Sequence, residues 1–171
     1  MSFDSKNLSA MSLKEFGDKF INEYIEPLVI SNPYLAFMVL STSIEFIGKC
    51  SHRLKNPHMD GTKVKKNMFV DAIDNINALS PYRAFNYKTS KGHSNKLYTA
   101  LRCGLLHAAM PNVGIILSSE ENEIGRNVVG CKSLYSDIKS AWIEINNDAQ
   151  IVRYLKETKA MVITQKHPED I

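Results

Sequence analysis

Residues 33–49 read PYLAFMVLSTSIEFIGK, and this stretch decides the fold class. Asn32 and Pro33 form a helix start signal, because asparagine caps a helix N-terminus well and proline is tolerated at the first helical position. The apolar residues that follow form two stripes, so the helix is apolar nearly all the way round, as is typical of the centre of a bundle. The stripes are Leu35, Met38, Val39, Thr42 and Phe46 on one side, and Phe37, Leu40, Ile44 and Ile47 on the other.

The chain around this helix carries further helical signals. Ser12 and Glu15 match a capping box, which begins helix one, and we expect this helix to be disturbed near Pro27. Helix three is predicted over residues 63–79, with a basic outer side. Residues 80–93 read as a loose, basic and soluble segment.

The second half of the sequence predicts two more helices with a small β element between them. Helix four is predicted from residue 94 to Pro111, and residues 113–117 and 127–129 have the β-branched composition of short strands. The last helix begins near Ser133 and carries apolar residues, including Trp142, at a clean helical spacing; residues 146–148 could divide it in two. Trp142 is assigned to the core and to no function.

Together these elements predict one all-α domain. The expected architecture is an antiparallel helical bundle with a small β-hairpin insertion after the fourth helix. Residues 12–164 are assigned to the bundle, residues 1–11 to a flexible N-terminal arm and residues 165–171 to a C-terminal tail.

Composition narrows the class of protein. The 171 residues are 44% hydrophobic and 23% charged, which excludes intrinsic disorder, and the net charge of +3 is compatible with a nucleic-acid partner. No apolar run approaches the roughly 18 residues of a membrane span, and no signal peptide is recognisable, so a cytoplasmic location away from membranes is expected. Cys50, Cys103 and Cys131 are widely spaced and are predicted to be reduced thiols in the core.

Known catalytic motifs are missing from the sequence. It contains no phosphate-binding loop, no dinucleotide fingerprint and no metalloprotease motif, and its five histidines have no metal-ligand spacing. We therefore expect neither a metal ion nor a cofactor.

Helix four has two apolar faces, which is the most informative feature for function. On an ideal α-helix one face belongs to the bundle core, and a second stripe lies roughly opposite, bordered by Arg102 and His107. A helix with two apolar faces must bury both, either inside the bundle or against a partner chain. A homodimer is predicted, in which an antiparallel contact across the second stripe places Arg102 of one chain beside His107 of the other. The core face comprises Leu97, Ala100, Leu101, Gly104, Leu105 and Ala108, and the second stripe comprises Thr99, Cys103, Leu106 and Met110.

The sequence Arg102-Cys-Gly-Leu-Leu-His107, with Tyr98 one turn earlier, resembles the R-x(4 to 6)-H motif of the HEPN superfamily. This stretch of sequence is most similar to that of bacterial members with an RxGLLH-type fourth helix. The resemblance implies a dimeric antiparallel bundle and, in active members, metal-independent RNA cleavage at the dimer cleft, with an inhibitor protein as a partner. The catalytic pair would be Arg102 and His107, although many active members carry a polar residue where this chain has Cys103.

The chemistry of that pair fits RNA cleavage. A neutral His107 imidazole can take the proton of a ribose 2′-hydroxyl, and the Arg102 guanidinium can hold the scissile phosphate, which yields a 2′,3′-cyclic phosphate. An ideal α-helix separates the two residues by roughly 140°, which favours a pair completed across the dimer. The alternative to such a shared pair is that a long arginine side chain or a helix distortion near Gly104 brings the two together in one chain. The alternative is structural: Arg102 pairs with a carboxylate such as Glu45, and His107 caps the helix C-terminus.

Four further residues are candidates for binding. Tyr98 belongs to the motif, and Glu45 is either a buried acid that orients Arg102 or a solvent-facing glutamate on a helix edge. Arg83 and Lys88 are interleaved with Tyr82, Phe85 and Tyr87, a mixture that can neutralise phosphates and stack bases. The alternative for this segment is a solvated loop whose aromatic side chains are tucked onto the bundle. For the whole protein the alternative function is a non-catalytic module that binds RNA or nucleotides, or acts as a protein scaffold.

Overall fold

A computed structural model describes residues 11–55, 67–90, 92–105, 114–123 and 126–160, and these are mostly helical. The helices are α1 (Leu13–Lys19), α2 (Ile25–Ser31), α3 (Pro33–Lys55), α4 (Asn67–Asn75), α5 (Cys131–Asn146) and α6 (Ala149–Glu157), with a 3-10 helix (Asn77–Phe85) and two π-helices (Phe20–Tyr24 and Tyr98–Leu105). The strands are β1 (Asn86–Thr89), β2 (Gly92–Asn95), β3 (Ile116–Ser118) and β4 (Val128–Gly130). The predicted arm lies outside the described residues except for Met11, as does the tail, and so do residues 161–164 at the end of the predicted domain.

The capping box at the start of α1 is confirmed. The Glu15 amide donates to the Ser12 hydroxyl oxygen at 3.2 Å, and the Ser12 amide donates to the Glu15 carboxylate at 2.8 Å. The predicted disturbance lies just before Pro27, where the first π-helix separates α1 from α2. Proline has no N–H to donate to the preceding turn, which favours a widened turn at this point.

Helix α3 buries only one of its two predicted stripes completely. Phe37, Leu40, Ile44 and Ile47 are at most 2% exposed, whereas Leu35 on the other stripe is 45% exposed. The remaining residues of that second stripe are half-buried. The helix begins where predicted, since the Leu35 amide donates to the Asn32 side chain at 3.1 Å.

Helix three is shorter than predicted. The described part, α4, ends at Asn75, and the chain then turns through an extended Ile76 into the 3-10 helix. This break is stabilised from a distance, because the Glu144 carboxylate on α5 accepts the N–H groups of Asn77 and Ala78, both at 2.9 Å. Residues 63–66 of the predicted helix lie outside the described residues.

The predicted loose segment 80–93 is ordered instead. It contains the second half of the 3-10 helix and an antiparallel hairpin, β1–β2, in which Asn86 pairs with Asn95 and Thr89 with Gly92. Burial explains the order, because Tyr82 and Phe85 are at most 2% exposed. Helix four consequently begins at Lys96 rather than at residue 94, and residues 98–105 are π-helical rather than α-helical.

The strands after helix four pair differently from the prediction. β3 and β4 are parallel, with Ile116 opposite Val128, so they are not a β-hairpin. The chain between them folds back along β4: the side chain of Asn122 accepts the Gly130 amide at 2.7 Å, and Glu123 forms an antiparallel bridge with Val128. That return segment occupies the antiparallel position beside β4, which leaves β3 to pair in the parallel direction.

The last predicted helix is divided at the point that the sequence left open. α5 ends at Asn146, and Asp148 caps α6 by accepting the amides of Gln150 and Ile151 at 2.8 and 3.2 Å. The predicted core register of α5 is confirmed, and Trp142 is 2% exposed. The end of the described chain returns to its start, since the Ala160 amide donates to the Met11 carbonyl at 3.0 Å.

Candidate functional site

The β1–β2 hairpin presents an aromatic and a basic side chain to solvent. Tyr87 is 39% exposed, and its neighbours Lys88 and Thr89 are also exposed. Successive side chains of a strand point to opposite faces, so Lys88 lies on the opposite face of β1 from Tyr87 and Thr89. Part of each of these three side chains is accessible to solvent.

Asn95 joins the hairpin to the helix that follows. Its fully buried side chain donates to the Tyr82 carbonyl at 3.0 Å and to the Asn86 side chain at 2.6 Å, and it accepts the Leu97 amide at 2.8 Å. The last of these bonds caps the helix. Asn95 is not among the predicted site residues, because the helix start was assigned to Ser94. Asparagine is a preferred N-cap residue, so Asn95, two residues before Leu97, could have been predicted as the cap.

Tyr98 begins the second π-helix and packs against α4. Its ring lies edge-on to Phe69, with 5.3 Å between centroids and 67° between ring planes, and the residue is half-buried. Such a contact fixes the start of the helix against the bundle. Tyr98 therefore serves as a positioning residue for the segment that carries Arg102.

The π-helical geometry bears on the predicted separation of Arg102 and His107. Arg102 lies in the second π-helix, while its side chain and the whole of His107 lie outside what the structure describes. The separation of roughly 140° was calculated for an α-helix throughout, whereas residues 102–105 are π-helical. Completion of the pair across a dimer stays a prediction.

Arg83 uses part of its guanidinium within the chain. Its Nε donates to the carbonyl of Ile73 near the C-terminus of α4 at 2.9 Å, where a cation is favourable for the helix dipole. The residue is otherwise exposed, and a guanidinium has five N–H donors.

Glu45 is half-buried on α3. Its exposure therefore lies between the two alternatives that the sequence left open, a buried acid and a solvent-facing glutamate.

Tyr82 and Phe85 are not available to stack on a ligand. The Tyr82 hydroxyl donates to Asp137 at 2.8 Å and accepts from the Asn122 side chain at 2.9 Å. Burial raises the pKa of Tyr82 far above its usual range and also raises the pKa of Asp137. For these two aromatic residues the alternative interpretation, that they are tucked onto the bundle, is confirmed.

A cleft of about 270 Å³ lies between α4, α5 and α6, lined by polar residues that include Glu144 and Asp148. Both carboxylates already accept backbone N–H groups at helix starts. Helix capping therefore explains why these two carboxylates lie in the cleft.

The thiols and potential metal ligands offer no reactive centre in the described part of the chain. Cys50 and Cys131 are buried outside any disulfide, and burial raises the pKa of the Cys131 thiol to about 11. Cys103 lies in the second π-helix, and its side chain is outside what the structure describes. Among residues 11–55, 67–90, 92–105, 114–123 and 126–160, no group of three histidine, cysteine, aspartate or glutamate residues could hold a metal ion. Nor is any helix in these ranges long and apolar enough to cross a bilayer.

No family model, curated protein or solved structure matches the chain. The resemblance of residues 97–112 to the HEPN superfamily therefore stays a prediction.

Proposed function

We propose that this protein is a HEPN-like RNA-binding protein that cleaves RNA without a metal ion, using Arg102 and His107. The observation that carries the proposal is the β1–β2 hairpin, which exposes Tyr87 and Lys88 and leads through Asn95 directly into the helix of Arg102. A binding element and the candidate catalytic residue are thus carried by consecutive, hydrogen-bonded elements.

The exposed hairpin residues suit single-stranded nucleic acid. An aromatic ring accepts any base by stacking, at about 1–3 kcal/mol per base, and an ammonium group offsets phosphate charge. Tyr87 and Lys88 point to opposite faces of β1, so an RNA strand that contacts both would cross the edge of the hairpin, with a base on the ring and a phosphate beside the ammonium.

The hairpin and Arg102 are close enough for one RNA strand to contact both. Arg102 lies seven positions after Asn95, which corresponds to at most about 10 Å along a helix. An RNA strand that contacts Tyr87 would therefore reach the helix of Arg102. There the 2′-oxygen would attack phosphorus, its proton would pass to His107, and the bond to the 5′-oxygen would break as that oxygen takes up a proton.

The second candidate function is RNA or nucleotide binding without catalysis. Cys103 favours it, because this chain places a thiol where many active HEPN members carry a polar residue. Both functions need the hairpin, and only cleavage needs His107. A protein that binds RNA and leaves it intact would therefore be this second candidate.

The hairpin is tested by binding of a short fluorescent single-stranded RNA, measured by anisotropy. We expect Tyr87→Ala to weaken binding by about 5- to 50-fold through the lost stacking. Lys88→Glu should weaken binding similarly and lower its dependence on salt. Lys156→Glu, the same charge reversal on the exposed face of α6, is the matched control and should bind nearly as the wild type does. Equal affinity of all four proteins would contradict the proposed binding face.

A homodimer through the second stripe of helix four is part of the proposal. Leu106→Arg places a charge in that stripe and should give monomers in sedimentation velocity, because an unpaired charge in an apolar contact is strongly unfavourable. An unchanged mass distribution would show that the stripe is not the interface.

A further inference from the structure

Three exposed apolar side chains lie close together in the sequence, at the junction of α2 and α3. Of the six large apolar residues that are exposed in the described part of the chain, Ile30, Tyr34 and Leu35 fall within six consecutive positions, at 78%, 42% and 45% exposure. They lie where α2 ends and α3 begins, and are called the elbow patch here. Scattered apolar residues on a surface need no explanation, but a cluster such as this one marks an interaction site.

Helix α5 supports the elbow patch from beneath. The Cys131 thiol at the start of α5 lies 3.7 Å from the Pro33 carbonyl oxygen, inside the elbow. One turn further along, Tyr135 is 7% exposed, and its buried hydroxyl has no hydrogen-bond partner among the described residues. A buried hydroxyl without a partner is unfavourable for the fold.

Charges of both signs flank Tyr135. The Lys139 ammonium lies 5.2 Å from the centroid of the Tyr135 ring. Burial and then the negative charge of Glu26 raise the pKa of Tyr135. Glu26 is exposed on α2 and lies one turn before Ile30, so the two side chains share a face of that helix. Within the described ranges neither Glu26 nor Lys139 forms an ion pair.

We infer that the elbow patch binds a second copy of this chain through a two-fold contact. In a two-fold contact, residue i of one chain meets residue j of the other, and residue j of the first chain meets residue i of the second. One acid and one base on the same face therefore form two ion pairs across the axis. Glu26 of each chain would face Lys139 of its partner, while Ile30, Tyr34 and Leu35 pack across the axis. This contact goes beyond the proposed RNA function and is separate from the stripe of helix four.

The size of the patch sets the expected strength. A standard interface has about 20–30 residues and about 800 Å² of buried surface per partner, whereas the elbow patch has three exposed apolar side chains. We therefore expect a weak association, detectable at protein concentrations between about 10 and 500 µM. Sedimentation equilibrium over that range measures it as a rise in average mass with concentration. This rise is the readout whether or not the stripe of helix four already holds a dimer.

The first comparison is Ile30→Lys against Ile116→Lys. Both sites are largely exposed, at 78% and 62%, so both variants should fold, but Ile116 lies on β3, outside the three helices that form and flank the elbow patch. Ile30→Lys should abolish the rise in mass, and Ile116→Lys should preserve it. Identical behaviour of the two variants, or no rise in the wild type, would overturn the inference.

Charge reversal tests the two-fold pairing itself. Glu26→Lys and Lys139→Glu should each weaken association at least about fivefold, because each puts like charges together across the axis. The double variant restores opposite charges and should recover most of the wild-type association. A double variant as weak as the single variants would overturn the pairing.

Discussion

His107→Ala should lower the rate of RNA cleavage at least about 100-fold, because it removes the base that takes the 2′-hydroxyl proton. The rate is measured under single-turnover conditions on end-labelled RNA in EDTA. RNA affinity should change little, since the hairpin that binds the strand is untouched. Lys156→Glu is the control, because its site on α6 is exposed and remote from the hairpin in sequence.

Arg102→Ala should lower both RNA affinity and the cleavage rate, since the guanidinium contacts the phosphate in the ground state and in the transition state. The two variants together locate the pair. Activity recovered in verified heterodimers of His107→Ala and Arg102→Ala would place the two side chains on different chains. Heterodimers without activity would place both in one chain. A fully active His107→Ala protein would contradict the catalytic assignment.

Gly48→Ala should destabilise the fold by about 3 kcal/mol, because it overpacks the contact between α3 and α4. A Cβ atom at position 48 would fall on the backbone carbonyl oxygen of Met68, well inside van der Waals distance. A backbone atom cannot swing aside as a side chain can, so the two helices would have to separate and expose part of the core around Ala72.

The Gly48→Ala effect is measured as a fall in the urea midpoint with an unchanged slope. Ser140→Ala is the control, since it is an alanine substitution at an exposed position of α5 and should change stability by less than about 0.5 kcal/mol. A Gly48→Ala protein as stable as this control would mean that α3 and α4 do not approach as closely as described.

Helix starts could be predicted from the sequence because their determinants are local. The Ser12 cap and the Asn32 cap each act within three residues, and α5 shows its apolar register within one helix. The division of the last helix at Asp148 was anticipated for the same reason, since an aspartate caps the residues directly after it.

The region from residue 76 to residue 95 could not be predicted because distant residues determine it. The 3-10 helix begins where Glu144, 67 positions away from Asn77, accepts its N–H group. The hairpin depends on Asn95 reaching the Tyr82 carbonyl, 13 positions back. Periodicity within one segment contains neither contact, so residues 76–79 were predicted as the end of helix three and residues 80–93 as a loose segment.

The candidate site was predicted in part. Lys88 was named as a binding candidate and is exposed, whereas burial of Tyr82 depends on Asp137 and Asn122, which the sequence does not bring together. The parallel pairing of β3 with β4 depends in the same way on Asn122 reaching Gly130. The apolar spacing does not reveal the π-helix at Tyr98–Leu105. The α-helical geometry from which the angular separation of Arg102 and His107 was calculated therefore does not apply to residues 102–105.

The chemistry of the RNA ends produced in EDTA tests the central proposal most directly. Purified protein is incubated with labelled single-stranded RNA in excess EDTA, and the products are identified by mass spectrometry. The proposal predicts 2′,3′-cyclic phosphate ends with 5′-hydroxyl partners for the wild type and no such ends for His107→Ala. Intact RNA, or cleavage that appears only when a divalent metal is added, would contradict it.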